Sequence, residues 1–426
     1  GAKIDFEDAG LFELPYAPVA ETLLPKGPWK VVEGGVCAAK GFKVAAHKAG
    51  LRATGTRADC ALVLADEDAK SAGIFTTNVM CAAPVTVCKD QLAGKPTARA
   101  LLINAGQANA ATGDAGMADA KETAAELSKS LGVPEEDILL MSTGVIGKRM
   151  KMDKYMPGIS VLAENVESSV AAANAAATAI CTTDLVRKTV AIELEIGGKT
   201  VRMGGMAKGS GMIHPNMATM LGFFSCDAGM DAAIWRGMVR RAVQRSFNAI
   251  TVDGDTSTND TVLAFSAGAP LAVEHHADLE EGLTAVMQQL AQAIARDGEG
   301  ATCLMEVQVN GAVDEAAALR VARTICGSSL VKTAVHGRDP NWGRIVAAAG
   351  RADVAFDPEA VELWIGPHQL MDRGQPVVFD RAAASDALRE ETVQIRLCIG
   401  QGPGNGCAWG CDLSDQYVRI NADYTT

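Results

Sequence analysis

What this sequence lacks narrows its function before any motif is considered. No apolar run approaches the ~20 residues of a membrane-spanning helix, which predicts a soluble protein. There is no basic excess: 39 Lys and Arg stand against 51 Asp and Glu, a formal net charge of −12. A nucleic-acid surface wants a basic face, so nucleic acid is not an expected partner. The eleven cysteines, scattered from Cys37 to Cys411, contain no C-x-x-C pair. The nearest approach is Cys407-Ala-Trp-Gly-Cys411, with no second pair or nearby His, so no zinc site is expected. An odd number of dispersed thiols fits a reducing compartment better than a secreted disulfide framework. Lys208-Gly-Ser lacks the glycine order of a phosphate-binding loop, which excludes nucleotide binding there. Asp253-Gly-Asp-Thr-Ser-Thr-Asn-Asp260 looks like a calcium loop but lacks the Gly at position six and the Glu at position twelve. The expectation is therefore no metal and no cofactor. The chain opens Gly-Ala-Lys with neither initiator Met nor hydrophobic signal segment, as expected of a processed form.

What is present describes an ordinary globular protein. Hydrophobic residues make up 48 % and charged residues 21 %, and 426 residues suggest two or three domains. Pro15, Pro18, Pro25 and Pro28 predict an extended N-terminal arm. Short strands are expected at 60–66, 101–104 and 138–141, and a helix over 117–131. Ala105 to Gly113 is small and polar, as in a turn packed against another backbone. An Ala-rich helix is expected over 164–179. Strands near 190–196 and 201–203 flank Gly197-Gly198, a hairpin signal. Helices over 232–247 and 279–295 and a strand over 393–399 complete the outline, with a C-terminal tail of the kind that normally frays.

The chain is organised around Gly204-Gly-Met-Ala-Lys208-Gly-Ser-Gly-Met-Ile-His-Pro-Asn-Met-Ala218-Thr219-Met-Leu-Gly-Phe-Phe-Ser225. Its left half, with four glycines, a lysine and a proline, reads as a tight irregular loop. Its right half turns apolar at Thr219 and reads as a buried strand. An Ala-Thr pair entering a strand is common and by itself is only punctuation. A small residue before Thr at such a junction is also what self-cleavage needs. The hydroxyl attacks the preceding carbonyl, and ester hydrolysis leaves Thr219 with a free α-amine. Thr with its own N-terminal amine is a recognised nucleophile and base, the unperturbed amine titrating near about 7.7–8.0. Elsewhere, Thr143-Gly144 at the end of a strand can aim a hydroxyl and an N–H at one point, the geometry of an oxyanion hole, although most such loops merely turn.

The string KGSGMIHPNMATML resembles the signature of the ornithine acetyltransferase family, the bifunctional glutamate N-acetyltransferases of arginine biosynthesis. NAGQANAATG, STGVIG, the Cys181-Thr182-Thr183-Asp184 element, DGDTSTND, DGEGAT and the block Gly337-Arg-Asp-Pro-Asn-Trp-Gly-Arg344 resemble further family motifs. The likeness runs from about Gly50 to the C-terminus. It implies an α/β fold, a layered αββα sandwich whose chemistry is like that of N-terminal nucleophile hydrolases and whose topology is distinct. It also implies autocatalytic cleavage between Ala218 and Thr219, giving an α fragment, 1–218, and a β fragment, 219–426. Thr219 becomes the nucleophile, and Thr143 and Gly144 the oxyanion hole. Thr182, Lys208, Thr219, Glu299, Asn421 and Thr426 become substrate-binding residues. The two arginines of the 337–344 block are expected to serve structure, available to carboxylates. Cys303 stands where the family often has Lys.

The implied reaction is ping-pong transfer of acetyl from N2-acetylornithine to glutamate, with acetyl-CoA as a possible further donor. The rivals are a related self-cleaving aminopeptidase or amidohydrolase that passes the acyl group to water, and an uncleaved scaffold with no catalysis. The family suggests self-association as two α and two β fragments. Thr-Thr-Asp-Leu-Val, Ala-Thr-Cys-Leu and Asp-Tyr-Thr-Thr resemble plant and algal members, which implies the plastid stroma, with mitochondrial matrix or cytoplasm as alternatives.

Overall fold

The computed structural model describes residues 23–53, 55–214 and 220–423. The expectations for most of the N-terminal arm and for Ala218, Thr219 and Thr426 lie outside the described residues. The first sheet contains β1 (Trp29–Val31), β2 (Phe42–His47), β3 (Cys60–Phe75), β4 (Thr97–Gln107), β5 (Ile138–Val145), β6 (Lys188–Ile196), β7 (Lys199–Lys208), β8 (Leu221–Cys226) and β9 (Thr261–Ser266). Their order is β1-β6-β7-β8-β9-β3-β4-β5, with β2 paired to β3. The pairs β4/β5 and β8/β9 are parallel, and the other pairs of this sheet are antiparallel.

Helices α1 (Ala83–Gly94), α2 (Gly113–Leu131), α3 (Met152–Glu164) and α4 (Val170–Ala179) cover one face of this sheet. The other face is covered by α5 (Ala232–Gln244) and α6 (His276–Arg296). A second sheet follows, made of β10 (Leu304–Ala312), β11 (Glu362–Ile365), β12 (His368–Asp372), β13 (Gln375–Pro376), β14 (Thr392–Cys398) and β15 (Gly404–Cys411), ordered β13-β12-β11-β14-β10-β15. Around it lie α7 (Glu315–Cys326), α8 (Ser329–His336), α9 (Trp342–Gly350), α10 (Arg381–Asp386) and the terminal α11 (Asp415–Asp423). Helix α6 touches both sheets. The fold is α/β, the class the motifs implied.

The apolar run after Thr219 is a strand because both faces of the sheet are covered. Leu221 and Phe223 of β8 enter the core beneath α1–α4, while Phe224 and Cys226 enter the core beneath α5 and α6. A strand alternates its side chains, so burial on both faces demands an unbroken apolar run. Truncating either ring would cost roughly 3–5 kcal/mol.

Several expectations required correction. The 204–208 stretch is not loop: β7 continues through Lys208, pairing Met203–Lys208 with β8. Its glycines provide closeness instead of turns. A Cβ on Gly204 would lie 1.9 Å from the Gly35 carbonyl oxygen, and one on Gly205 would lie 2.6 Å from the Phe224 ring. Likewise, Ser142 to Val145 belong to β5 instead of following it. The helix expected over 164–179 begins at Val170, where the Ser169 hydroxyl accepts the Ala172 N–H at 3.0 Å. Helix α3 was not expected at all, because Pro157 in its interior removes one helical hydrogen bond. Burial of Tyr155, Ile159 and Leu162 offsets that loss. The C-terminal tail is the helix α11. Arg344 meets the Leu330 carbonyl and the Thr333 hydroxyl instead of a carboxylate, and Arg381 takes the Asp339 side chain. The Gly197-Gly198 hairpin forms as expected, both residues having positive φ (57° and 72°).

Candidate active site

Three residues singled out by motif meet through one side chain. Lys208 ends β7, buried, and its Nζ donates to Thr182 Oγ1 at 2.7 Å and to Thr143 Oγ1 at 3.2 Å. Burial lowers the Lys208 pKa, and the nearby Asp184 carboxylate opposes that shift. Thr143 and Gly144 stand near the end of β5, and with Thr182, Lys208, Glu299 and Asn421 they line one cleft. Gly144 is obligatory there: its φ is 125°, and a Cβ would lie 2.3 Å from the Gly106 carbonyl carbon of β4.

The chain leaves the described residues at His214 and re-enters them at Met220 beside this cleft. Leu221 pairs with Lys208 on one side and with Thr261 on the other. The Met220 N–H donates to Asp260 Oδ1 at 3.2 Å, and the Met220 carbonyl accepts from Thr261 N at 3.1 Å. Asp260 is fully buried, and its Oδ2 has no hydrogen-bond partner among the described residues. Burial raises its pKa well above the ordinary carboxylate range.

On the opposite wall, Glu299 Oε2 accepts from Asn421 Nδ2 at 2.7 Å, so α11 closes that side of the cleft. Burial raises the Glu299 pKa, while the Asn421 hydrogen bond favours its charged form. Gly211 lies flat against this carboxylate, since a Cβ there would come within 2.5 Å of the Glu299 carboxyl carbon. Asp253 accepts the Met212 and Ile213 N–H groups at 2.6 and 2.8 Å and the Tyr417 hydroxyl at 3.2 Å. It thereby fixes the loop that leads to His214 and docks α11 a second time.

The loops are tied by a buried charge network that sequence reasoning missed. Lys188 Nζ donates to Asp184 Oδ1 at 2.7 Å and to Asp297 Oδ2 at 2.6 Å. Asp184 also accepts the N–H of Gly209 at 2.8 Å and of Thr182 at 3.0 Å. One lysine thus serves two carboxylates. Burial works against ionising Asp184, but Lys188 and Lys208 together outweigh it and hold its pKa below the usual range. Burial, together with the Asp184 charge, pushes Asp297 up to about 6 despite Lys188. Asp184 stood within the quoted Thr-Thr-Asp element, and Asp297 opens the DGEGAT motif. Lys188 and Tyr417 carried no sequence signal.

The structure therefore brings together Thr143, Gly144, Thr182, Lys208, Glu299 and Asn421. The places of Ala218, Thr219 and Thr426 are not among the described residues. Chemically, among the described residues, the cleft offers one cation, three lining carboxylates (Asp253, Asp255 and Glu299) and a hydroxyl-bearing strand end. That suits a small zwitterion.

Comparison with known proteins is concordant. Residues 43–426 match the family model described as "ArgJ family". The chain is 67 % identical over 439 aligned positions to the "Arginine biosynthesis bifunctional protein ArgJ, chloroplastic" of Ostreococcus lucimarinus, covering all of this chain and 95 % of that protein. It is 64 % identical to the bifunctional ArgJ of Parasynechococcus marenigrum, over 96 % of this chain and all of that one. Among solved structures, the ArgJ protein of Bacillus halodurans shares 42 % identity over 47 % of this chain and 97 % of its own, with a TM-score of 0.45. A family match over residues 43–426 and relatives at 64–67 % identity over nearly the whole chain admit one conclusion: the chain belongs to the ArgJ family.

Proposed function

We propose that this cleft carries an acetyl group from N2-acetylornithine to glutamate on the Thr219 hydroxyl, after autocatalytic cleavage between Ala218 and Thr219, in arginine biosynthesis. The observation that carries the reading is the Lys208 ammonium joined to both Thr143 and Thr182 at the strand end next to Met220. The sequence likeness to bifunctional ArgJ proteins, whose name places them in arginine biosynthesis, supports it.

In this mechanism the freed Thr219 amine takes the hydroxyl proton as Oγ attacks the acetyl carbonyl. Thr143 and Gly144 bind the developing oxyanion, an interaction whose loss costs about 10²–10³ in rate. Collapse expels the ornithine amine, which takes the proton from the Thr219 ammonium, and leaves an acetyl ester. The glutamate amine attacks that ester, gives up a proton through the same amine, and restores the hydroxyl. Lys208 receives the carboxylate common to both amino acids, with Thr182 and Thr426 around it, and Glu299, held by Asn421 on the opposite wall, pairs with the cationic group. Nucleophile, base and oxyanion donors all belong to the chain, so the chemistry requires no metal or cofactor. Acetyl-CoA, as a thioester, would load the same hydroxyl.

Cleavage would leave β7 in the α fragment (1–218) and β8 in the β fragment (219–426). Their pairing over Met203–Lys208 and Leu221–Cys226 supports fragments that stay joined by the sheet. Two copies of each fragment, in the plastid stroma, complete the proposal. The test is an intact-mass spectrum of the denatured protein followed by acetyl exchange between acetylornithine and glutamate. Two fragments, the second beginning Thr219-Met220, with exchange, are expected. A single 44.3 kDa species, or acetyl release to water without transfer to glutamate, would overturn the reading. Transfer of label from radiolabelled acetyl-CoA to glutamate tests the further donor.

A further inference from the structure

We propose that Asn259 is a positioning residue that sets the geometry of the oxyanion segment; the inference rests on the role of Thr143 and Gly144 proposed above. Asn259 lies two residues before β9, at the cleft wall, and only 4 % of it is exposed. Its Nδ2 donates to the Ala108 carbonyl at 2.6 Å and to the Ser142 carbonyl at 2.8 Å. Its Oδ1 accepts the Thr258 hydroxyl at 2.5 Å. Both amide hydrogens are therefore spent on backbone carbonyls of two different strand ends.

Those two carbonyls matter because of where they sit. Ala108 immediately follows β4, and its N–H donates to Val145 O of β5 at 3.0 Å. The Ser142 carbonyl belongs to the peptide unit that ends at Thr143. A peptide is planar, so fixing its oxygen fixes the orientation of the whole unit. That plane sets where the Thr143 side chain projects and where the next peptide presents the Gly144 N–H. The segment has little slack, because Gly144 already abuts the Gly106 backbone. One amide thus clamps β4 to β5 at the point where both reach the cleft.

The adjacent residue gives the clamp its second jaw. Asp260 accepts the Met220 N–H, the first described group after the cleavage motif. Consecutive residues on one backbone therefore tie the oxyanion strand and the β8 entry, and so fix the distance between them. A packing role alone would not require this bridging; it would require only volume.

The test uses the full chain. Asn259→Asp keeps shape but places an acceptor against two carbonyl oxygens. Asn259→Ser keeps a single smaller donor and serves if the first variant folds poorly. Each is compared with Thr143→Val and with the double variant, rates being normalised to folded, cleaved protein. The expected result is a fall in kcat of about 10- to 100-fold, part of the cost of losing an oxyanion donor outright. KM for acetylornithine should stay within about threefold, and the Asn259 effect should shrink to less than about threefold in the Thr143→Val background, as for residues acting as one unit. An unchanged kcat with a lowered melting temperature would reduce Asn259 to a structural strut. Full additivity with Thr143→Val would place its action elsewhere. The Thr143→Val arm alone reports on the parent reading: if it leaves kcat intact, the oxyanion assignment fails, whereas its loss beside an active Asn259 variant sinks only this inference.

Discussion

Replacing Lys208 by Met separates a catalytic lysine from a structural one. Methionine has nearly the same length and no charge, so the buried volume is kept. What disappears are two hydrogen bonds, to Thr143 and Thr182, and the cation proposed for the substrate carboxylate. A hydrogen bond to a charged group contributes about 1.5–3 kcal/mol, so losing the substrate contact should raise KM about 10- to 150-fold. Thr143 also loses its partner, and kcat should fall as well. Stability should change little, because burial already works against the charged ammonium. The sign of the pH effect follows. The folded pKa of Lys208 is lowered, so the unfolded chain holds the proton more tightly, and stability rises with pH between the lowered value and the ordinary lysine value of about 10.4. The variant lacks this slope, so wild type minus variant stability should grow from neutral toward alkaline pH. Steady-state acetyl transfer and calorimetry across that range measure both. A variant whose kcat/KM stays within about threefold while its melting temperature collapses would refute the reasoning and make Lys208 a strut.

Further predictions concern the walls of the cleft. Glu299→Gln should raise KM for acetylornithine. In wild type that KM should climb as pH falls through the raised Glu299 pKa, since protonation abolishes the ion pair; an unchanged acid limb in the variant would contradict the assignment. Asp184→Asn leaves Lys188 buried with Asp297 alone and should cost about 3–5 kcal/mol. Because the Asp184 pKa is lowered, its contribution is present above the ordinary aspartate value and lost as pH falls, so the variant's deficit should shrink in acid. Urea titrations at pH 7 and pH 3 would show this, and an equal deficit at both would count against it. Deletion after Ser414 removes α11, which has no buried residue, along with the Tyr417 and Asn421 contacts. Melting should shift little while KM rises; a large drop in melting temperature would make the helix structural instead.

Much of the site was legible because its chemistry is carried by contiguous strings. Thr143, Gly144, Thr182, Lys208 and Glu299 come from four separate motifs and Asn421 from the C-terminal tail, and all line one cleft. The strings did not reveal what holds them. Glycine-rich sequence between 204 and 208 reads as loop, since glycine favours turns, yet here missing side chains admit the Gly35 carbonyl and the Phe224 ring. That neighbour lies 169 residues away in the chain for Gly204, and no local pattern records it. Helix α3 was hidden by Pro157 for the opposite reason: a local breaker is overruled by buried Tyr155, Ile159 and Leu162.

The sequence by itself determined the family and the α/β class and named the side chains proposed to react, because contiguous motifs and strand-length apolar runs are properties of covalent order. The tertiary structure decided which carbonyls Asn259 bridges, which charges Lys188 shares and in which direction burial shifts Lys208, Asp260 and Glu299. Those are properties of distance and solvent exclusion between segments far apart in the chain, and only folding sets them.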